Sequence, residues 1–238
     1  MPLIIQIIAA SLMGGMLSLL AAFLVLFGLP KRWLSYALSF STGVLLATAM
    51  LHLMPEALST GLTPNEVCPV LLTGVLFFFG LEKFALWHRD YEESAHHPET
   101  ATLSILFGDG FHNFTDGLLI AAAFLTDPAL GWVTTLAVIA HEIPQETGDF
   151  AILLAAGWPP KKALIWNTVS SFTSVLGGAI GYFALEQTET WIPYMITLAA
   201  ASFLYIAIAN LLPRLKRMQH GIAWHSLLML AGIAIASL

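Results

Sequence analysis

Eight apolar stretches, each about as long as a membrane-spanning helix, occupy almost the whole of the sequence. Their approximate bounds are 3–28, 34–57, 69–87, 101–124, 130–156, 162–185, 191–212 and 222–238. Roughly 20 apolar residues in a helix cross the ~30 Å hydrocarbon core of a bilayer. Only 10% of the 238 residues are charged, against about 25% in soluble domains. The sequence therefore predicts an all-α polytopic membrane protein, with a single transmembrane domain over residues 1–238 and eight transmembrane helices, spans 1 to 8.

The basic residues lie almost entirely in alternate connections between the spans. Eight of the nine follow an odd-numbered span: Lys31, Arg32, Arg89, Lys161, Lys162, Arg214, Lys216 and Arg217. The connections near residues 58–68, 125–129 and 186–190 contain only acidic charges. Since cytoplasmic loops carry an excess of lysine and arginine, these odd-to-even connections are predicted to be cytoplasmic and both termini to lie outside. The short loops favour a bacterial inner (plasma) membrane, with an organelle membrane as the alternative.

Spans 4 and 5 each carry a polar stripe that is out of place in hydrocarbon. Span 4 contains GDGFHNFTDG, with Asp109, His112, Asn113 and Asp116. Span 5 contains HEIPQETGD, in which residues 141, 145 and 149 share one helix face. Each intramembrane charge costs about 2.5–3.5 kcal/mol on insertion scales. The two stripes are therefore expected to face each other or a wet cavity, and to bind something that compensates their charge.

The residue types in these stripes favour a divalent transition metal as the ligand. Imidazole with carboxylate suits Zn²⁺, Fe²⁺ or Mn²⁺, and the single cysteine, Cys68, excludes a thiolate cluster. Both His112 and His141 fall about halfway along their spans, which predicts a meeting point near the bilayer midplane. Three further acidic residues lie on the cytoplasmic side of that point and are candidates for a metal pathway: Asp109, Glu146 and Asp149.

Proline and glycine shape the backbone around these stripes. Pro144 has no backbone donor, so the carbonyl of Ala140 is freed in the middle of span 5, where it is expected to line a cavity or a ligand site. Four glycines are expected to let neighbouring helices approach closely: Gly108, Gly110, Gly117 and Gly148.

Two other interpretations of the stripes remain open from the residues alone. They would also suit a buried hydrogen-bond network that holds two helices together. The string HEIPQ is similar to the HExxH motif of zinc hydrolases, which makes an intramembrane metal-dependent hydrolase the alternative function. Against it, Gln145 is a poor zinc ligand and Pro144 interrupts the helix that such enzymes need.

The motifs HNFTDG and HEIPQETGDFAILLAAG together resemble the ZIP family of divalent metal-ion transporters. They are most similar to the subgroup whose span 5 motif is HExPHExGDF, and further matches are HLMPEAL, FFFGLEKF and ASFLYIAIANLLPRL. The resemblance implies eight helices in a three-plus-two-plus-three arrangement, with a metal centre on spans 4 and 5 that can hold two ions.

The resemblance also implies particular ligands. The first metal position would use His112, Asp116, His141 and Gln145; the second would use Asn113 and Glu142, with Asp116 as a bridge. The chain departs from the family pattern at Gln145, where His or Glu is usual, at Ser174 for a carboxylate, and in span 7 at Asn210 and Arg214. These departures predict one strong metal position and a weaker second one.

Outside the stripes, two smaller groups are candidates for handling metal. His88, His96 and His97 lie between spans 3 and 4, where they would collect metal on the cytoplasmic side or belong to an ordinary solvated loop. His52 and Glu56, four residues apart near the outer end of span 2, would form an entry vestibule or a hydrogen-bonded pair.

The function predicted from the sequence is divalent metal-ion transport into the cytoplasm, with zinc expected ahead of Fe²⁺, Mn²⁺ or Cd²⁺. The metal is then substrate, no cofactor is expected, and the chain is not expected to be an enzyme. No GxxxxGK[ST] phosphate loop supports ATP-driven pumping. The expected partners are the metal ion and the lipid bilayer, with no nucleic acid; a homodimer is one option for the oligomeric state.

Overall fold

The computed structural model describes residues 2–27, 32–94, 98–216 and 221–237. Within these ranges a short 3₁₀ turn lies at Glu189–Trp191, no strand is present, and the chain forms eight longer helical segments, which confirms the predicted all-α class. Their bounds are α1 Leu3–Phe27, α2 32–59, α3 Pro64–Ser94, α4 Pro98–Thr126, α5 Pro128–Ala155, α6 Pro160–Glu186, α7 Ile192–Lys216 and α8 Ile222–Ala236.

The connection predicted between spans 3 and 4 is mostly helical. Helix α3 continues to Ser94 and α4 begins at Pro98, so the backbone of His88 lies in α3. The side chain of His88, and His96 and His97 as a whole, lie outside the described residues. The end of span 3 predicted at residue 87 is therefore too early, because hydrogen bonding along α3 extends to Ser94, past the apolar stretch from which its end was predicted.

Five of the described helical stretches are long and apolar enough to cross a membrane by length and composition. They are Leu3–Leu24, Trp33–Ser59, Pro64–Lys83, Pro160–Glu186 and Ile192–Lys216. Helix α8 is apolar but shorter. Helices α4 and α5 are not in this set, although each has more than 25 residues, because they carry the polar stripes.

The helices pack in a pattern with internal symmetry. Helix α1 packs on α5 as α6 packs on α4, and α2 packs on α8 as α7 packs on α3. Helices α4 and α5 pack on each other. If α1, α2 and α3 are exchanged with α6, α7 and α8, and α4 with α5, the same pairs of helices are in contact. This is the packing expected of a three-plus-two-plus-three arrangement, with the two polar helices at the centre.

A local irregularity appears at matching places in two of the outer helices. Helix α2 widens into a π-helical turn at Thr48–Leu53, and α7 does so at Ile206–Leu211. Each wide turn is followed by a proline, Pro55 or Pro213. Proline lacks the donor that a regular α-helix needs and clashes with the preceding turn, and π turns absorb such misfits inside longer helices.

Glycine lets the backbones of α4 and α6 touch. A Cβ at Gly117 would collide with the carbonyl oxygen of Ser174, and one at Gly177 would collide with that of Phe114. The close approach predicted for Gly117 is thus confirmed. The same prediction for Gly148 is wrong, since a Cβ there would meet nothing within 4 Å.

Candidate metal centre

Four side chains from the two central helices meet in one cluster. Helix α4 contributes His112 and Asp116, and α5 contributes His141 and Glu142; one potential ligand atom from each lies within 4.8 Å of all the others. His141 Nε2 is 3.0 Å from Asp116 Oδ2 and 3.2 Å from His112 Nε2. Glu142 Oε1 lies 3.7 Å from His112 Nε2 and 3.8 Å from His141 Nε2. We call these residues the four-residue cluster.

The cluster lies deep in the protein, and its charges have little compensation. Asp116 is 0% exposed, and His141 and Glu142 are each 1% exposed. Within the described part of the chain, neither oxygen of Glu142 has a hydrogen-bond partner, and the ion pairs of both carboxylates are with histidine alone. Buried carboxylates without partners are costly, so this geometry favours a cation or a proton at the cluster.

The orientation of His141 is set from outside the cluster. Its Nδ1 lies 2.9 Å from the carbonyl oxygen of Ala137, one turn earlier in α5. With the proton on Nδ1, the ring donates a hydrogen bond to that carbonyl. Nε2 then presents its lone pair to Asp116 and His112. Metal-binding histidines usually have such a partner for the second ring nitrogen. The ring of Phe203 on α7 packs edge-on against the imidazole, with centroids 5.9 Å apart.

The side-chain amides of Asn113 and Gln145, both predicted metal ligands, are hydrogen-bonded to Asp109, which is not in the four-residue cluster. Gln145 Nε2 donates to Asp109 Oδ1 at 3.3 Å, and Asn113 Nδ2 donates to the same oxygen at 3.2 Å. Asn113 also donates to the backbone carbonyl of Asp109. In this structure the amide groups of Asn113 and Gln145 therefore support Asp109 and are not part of the four-residue cluster.

The candidate pathway residues are divided between the centre and one end of the bundle. Asp109 and Glu146 are buried and Asp149 is half-buried, and all three belong to the central helices. His52 lies in the π turn of α2, where its Nε2 meets the carbonyl of Ala236 on α8. That contact, rather than a pair with Glu56, is the hydrogen bond of the His52 ring.

Two contacts from the outer helices escaped the sequence analysis. The Ser41 hydroxyl on α2 donates to the carbonyl of Ala140, the group that Pro144 frees. The Ser171 hydroxyl on α6 donates to Glu146 Oε1. The one available signal was the helical spacing of polar residues in apolar spans, as for Asn167, Ser171 and Ser174 in α6. Spacing shows which face is polar but does not identify the partner.

Comparison with known proteins matches this chain to one family. The family model described as ZIP zinc transporter matches residues 2–102 and 87–238. Zinc transporter ZIP13 of Pongo abelii is 34% identical over 228 residues, which are 85% of this chain and 65% of that protein. Zinc transporter ZIP6 of Homo sapiens is 41% identical over 117 residues, 48% of this chain and 16% of that protein. Zinc transporter foi of Drosophila melanogaster is 39% identical over 142 residues, 54% of this chain and 20% of that protein. The chain spans less than two thirds of the length of each of these relatives.

Proposed function

The chain belongs to the ZIP family of zinc transporters, and from this premise we propose that it carries divalent metal ions across a membrane, with zinc as the preferred substrate. The ion would bind at the four-residue cluster on α4 and α5.

The spacing of the donor atoms is the observation that carries the proposal. Nitrogen and oxygen ligands about 2.0–2.1 Å from a tetrahedral zinc ion lie about 3.3 Å from one another. The five separations within the four-residue cluster that involve a histidine nitrogen range from 3.0 to 3.8 Å. Lone pairs held that close without a proton or cation between them would repel. Two imidazoles with two carboxylates are also a donor set suited to Zn²⁺.

The position of the cluster favours transport over a purely structural metal site. Asp116 and Glu142 are buried between the two central helices, around which α1, α2, α6 and α7 pack. Ionisable groups within membrane-spanning helices mark ion pathways. In alternating access, a site near the midplane is exposed first to one side and then to the other. Asp109, Glu146 and Asp149 would lead the ion away on one side.

The direction of transport rests on the distribution of basic residues. With the odd-to-even connections in the cytoplasm, Asp149 on α5 lies toward the cytoplasmic end of the pathway, so the proposed net flux is uptake. Both termini then lie outside, in a bacterial plasma membrane. Cysteine introduced near either terminus should react with an impermeant maleimide added to whole cells. Reaction only after the cells are opened would reverse the proposed orientation.

Metal flux into proteoliposomes tests the function directly. Purified full-length protein should admit Zn²⁺ down its gradient, and Cd²⁺, Mn²⁺ and Fe²⁺ should compete to different degrees. Because metal binding displaces protons from histidine, uptake should weaken at acid pH. Liposomes without protein provide the background. Absence of flux from protein that remains folded would contradict the proposal, and peptide turnover without metal flux would instead favour the hydrolase.

A further inference from the structure

A second group of oxygen atoms lies beside the four-residue cluster and is separate from it. Glu146 follows Glu142 by four residues on α5, about one helical turn, or ~6 Å along the axis. Asp109 precedes His112 by three residues on the antiparallel α4, so it lies in the same direction. The two carboxylates are near enough for their charges to act on each other.

Helix α6 closes this group from the third side. The Ser171 hydroxyl donates to Glu146 Oε1, and Asn167 Nδ2 lies 3.5 Å from the backbone carbonyl of Glu146. Asp109 is 4% exposed, and Glu146 and Asn167 are each 0% exposed. The group therefore combines side chains from α4, α5 and α6 in a fully buried setting.

One oxygen of each of these three side chains has no partner. Asp109 Oδ2, Glu146 Oε2 and Asn167 Oδ1 are buried and make no hydrogen bond within the described ranges. Their other polar atoms are occupied: Asp109 Oδ1 by two amides, Glu146 Oε1 by Ser171, and Asn167 Nδ2 by the Glu146 carbonyl. Amide and hydroxyl groups thus hold the three side chains in place and leave one acceptor free on each.

The charges around this group favour a divalent cation. Asp149 also acts electrostatically on Asp109 and Glu146, and Arg214 acts on Asp149. If Arg214 balances one of the three acidic groups, two negative charges remain. A divalent ion at the four-residue cluster already faces two carboxylates of its own, Asp116 and Glu142. A buried carboxylate either takes up a proton or is stabilised by a partner of opposite sign, and a second divalent ion would be that partner here.

We propose that Asp109, Glu146 and Asn167 form a separate, oxygen-only cation site, one helical turn from the four-residue cluster, that binds a hard divalent ion such as Mn²⁺. Carboxylate and carbonyl oxygens suit Mg²⁺, Ca²⁺ and Mn²⁺, whereas imidazole favours zinc. The site has no imidazole. Asn113 and Gln145 orient Asp109 and do not ligate at this site, since both present their NH₂ groups to it.

In the transport pathway the site would accept an ion that leaves the four-residue cluster. Oxygen-only ligands hold Zn²⁺ less selectively than histidine does, so this step would favour release. The proposal deepens the transport function proposed above, but the two can fail separately. Transport is measured as flux, whereas the oxygen-only site is measured as equilibrium binding to protein that need not transport.

Electron paramagnetic resonance of bound Mn²⁺ distinguishes the two positions. Mn²⁺ at the four-residue cluster should show hyperfine coupling to imidazole nitrogen, and Mn²⁺ at the oxygen-only site should not. The full-length protein in nanodiscs should show both classes of bound Mn²⁺, one with nitrogen coupling and one without it. A variant without the four-residue cluster, His112→Ala/Asp116→Asn/His141→Ala/Glu142→Gln, should retain only the class without nitrogen coupling.

Removing the second group should give the complementary result. Asp109→Asn/Glu146→Gln should lose the class without nitrogen coupling and retain the class with it, which also shows that the protein is folded. Glu186→Gln, which neutralises an exposed carboxylate bonded to Tyr182, is the matched control and should keep both classes. Retention of both classes in Asp109→Asn/Glu146→Gln would overturn the proposal, as would loss of all binding when only the four-residue cluster is removed.

A third variant tests the site without removing a ligand. Asn167→Asp keeps an oxygen in place and adds a negative charge. It should tighten Mn²⁺ binding in the class without nitrogen coupling on the order of tenfold, because ligand charge sets the affinity of oxygen sites. Asn167→Leu, of similar size and without a ligand atom, should weaken it. Unchanged affinity in both variants would show that Asn167 does not face the ion and would contradict the site as proposed.

Discussion

The two central helices and the helices around them bury different kinds of polar side chain. Among the described residues, the outer helices bury hydroxyl and amide groups, such as those of Ser41 and Asn167, whereas the buried carboxylates and imidazole lie on α4 and α5. On α4 and α5, Asp116, His141 and Glu146 are at most 1% exposed. On the surrounding helices, large apolar side chains face outward, such as Leu72 on α3 and Phe183 on α6, which are 61% and 60% exposed. The helices that are least membrane-like by composition therefore keep their charged groups inside the bundle, while α4 still has an apolar outer face at Phe107, which is 83% exposed.

This difference shows that burial within the bundle decides whether a polar helix is tolerated in a membrane. Each outer helix can contact hydrocarbon because its outward face is apolar. The central pair is acceptable only because α1, α2, α6 and α7 pack around it and because its polar groups face inward.

The largest expected effect is loss of transport when a central ligand is removed. His141→Ala and Asp116→Ala should each abolish zinc flux in proteoliposomes, since a tetrahedral site tolerates few missing ligands. Phe183→Ala, on the lipid-facing side of α6, is the matched control and should transport normally. Near-normal flux in either ligand variant, at equal protein content, would contradict the proposal that the central helices, unlike the outer ones, bind the transported ion.

The next effect concerns the contact that joins the central pair to the outer helices. Gly117→Ala places a Cβ against the backbone of Ser174 and should destabilise the fold by about 1–3 kcal/mol, the usual cost of overpacking. Gly148→Ala, which meets nothing within 4 Å, should instead stabilise α5 by roughly 0.5–1 kcal/mol. Thermal unfolding in detergent measures both. Equal stability of the two variants would mean that α4 and α6 can separate at little cost.

A smaller effect is expected at the edge of the four-residue cluster. Gln145→His replaces an amide that donates to Asp109 by a strong metal ligand, one turn from His141 on the same helix face. The apparent KM for zinc should fall, and the maximal flux should stay unchanged or fall, because a transporter must also release its ion. A raised KM with faster flux would show that position 145 does not face the metal.

The smallest effect is expected outside the membrane-embedded centre. Replacing His88, His96 and His97 together by serine should leave substantial flux and change only its apparent affinity or regulation. Uptake of radioactive zinc into vesicles, with correct insertion checked by protease protection, measures this. If flux vanished while insertion was normal, these histidines would belong to the conducting path. Metal binding during transport would then not be confined to the two central helices.

Helical periodicity explains why much of the candidate site could be predicted. On α5, His141 and Gln145 recur at helical spacing, and His112 with Asp116 do so on α4. Placing both stripes at mid-span made their meeting predictable, and His112 and His141 do lie 3.2 Å apart. The positions of Gln145 and Asn113 within the ligand set were harder to predict, because an amide on a polar face can join either of two neighbouring carboxylates.

Spacing along the sequence therefore determined which polar residues share a helix face, because that depends on local periodicity. The length of the apolar segments determined that there are eight helices. The tertiary structure alone decided which helices touch and at what depth. It paired Ser41 with the carbonyl of Ala140 and Ser171 with Glu146, and it brought α4 against α6 through Gly117. These contacts join residues far apart in the chain. They depend on the rotation and axial position of whole helices, which are set by packing and by the need to satisfy buried polar groups.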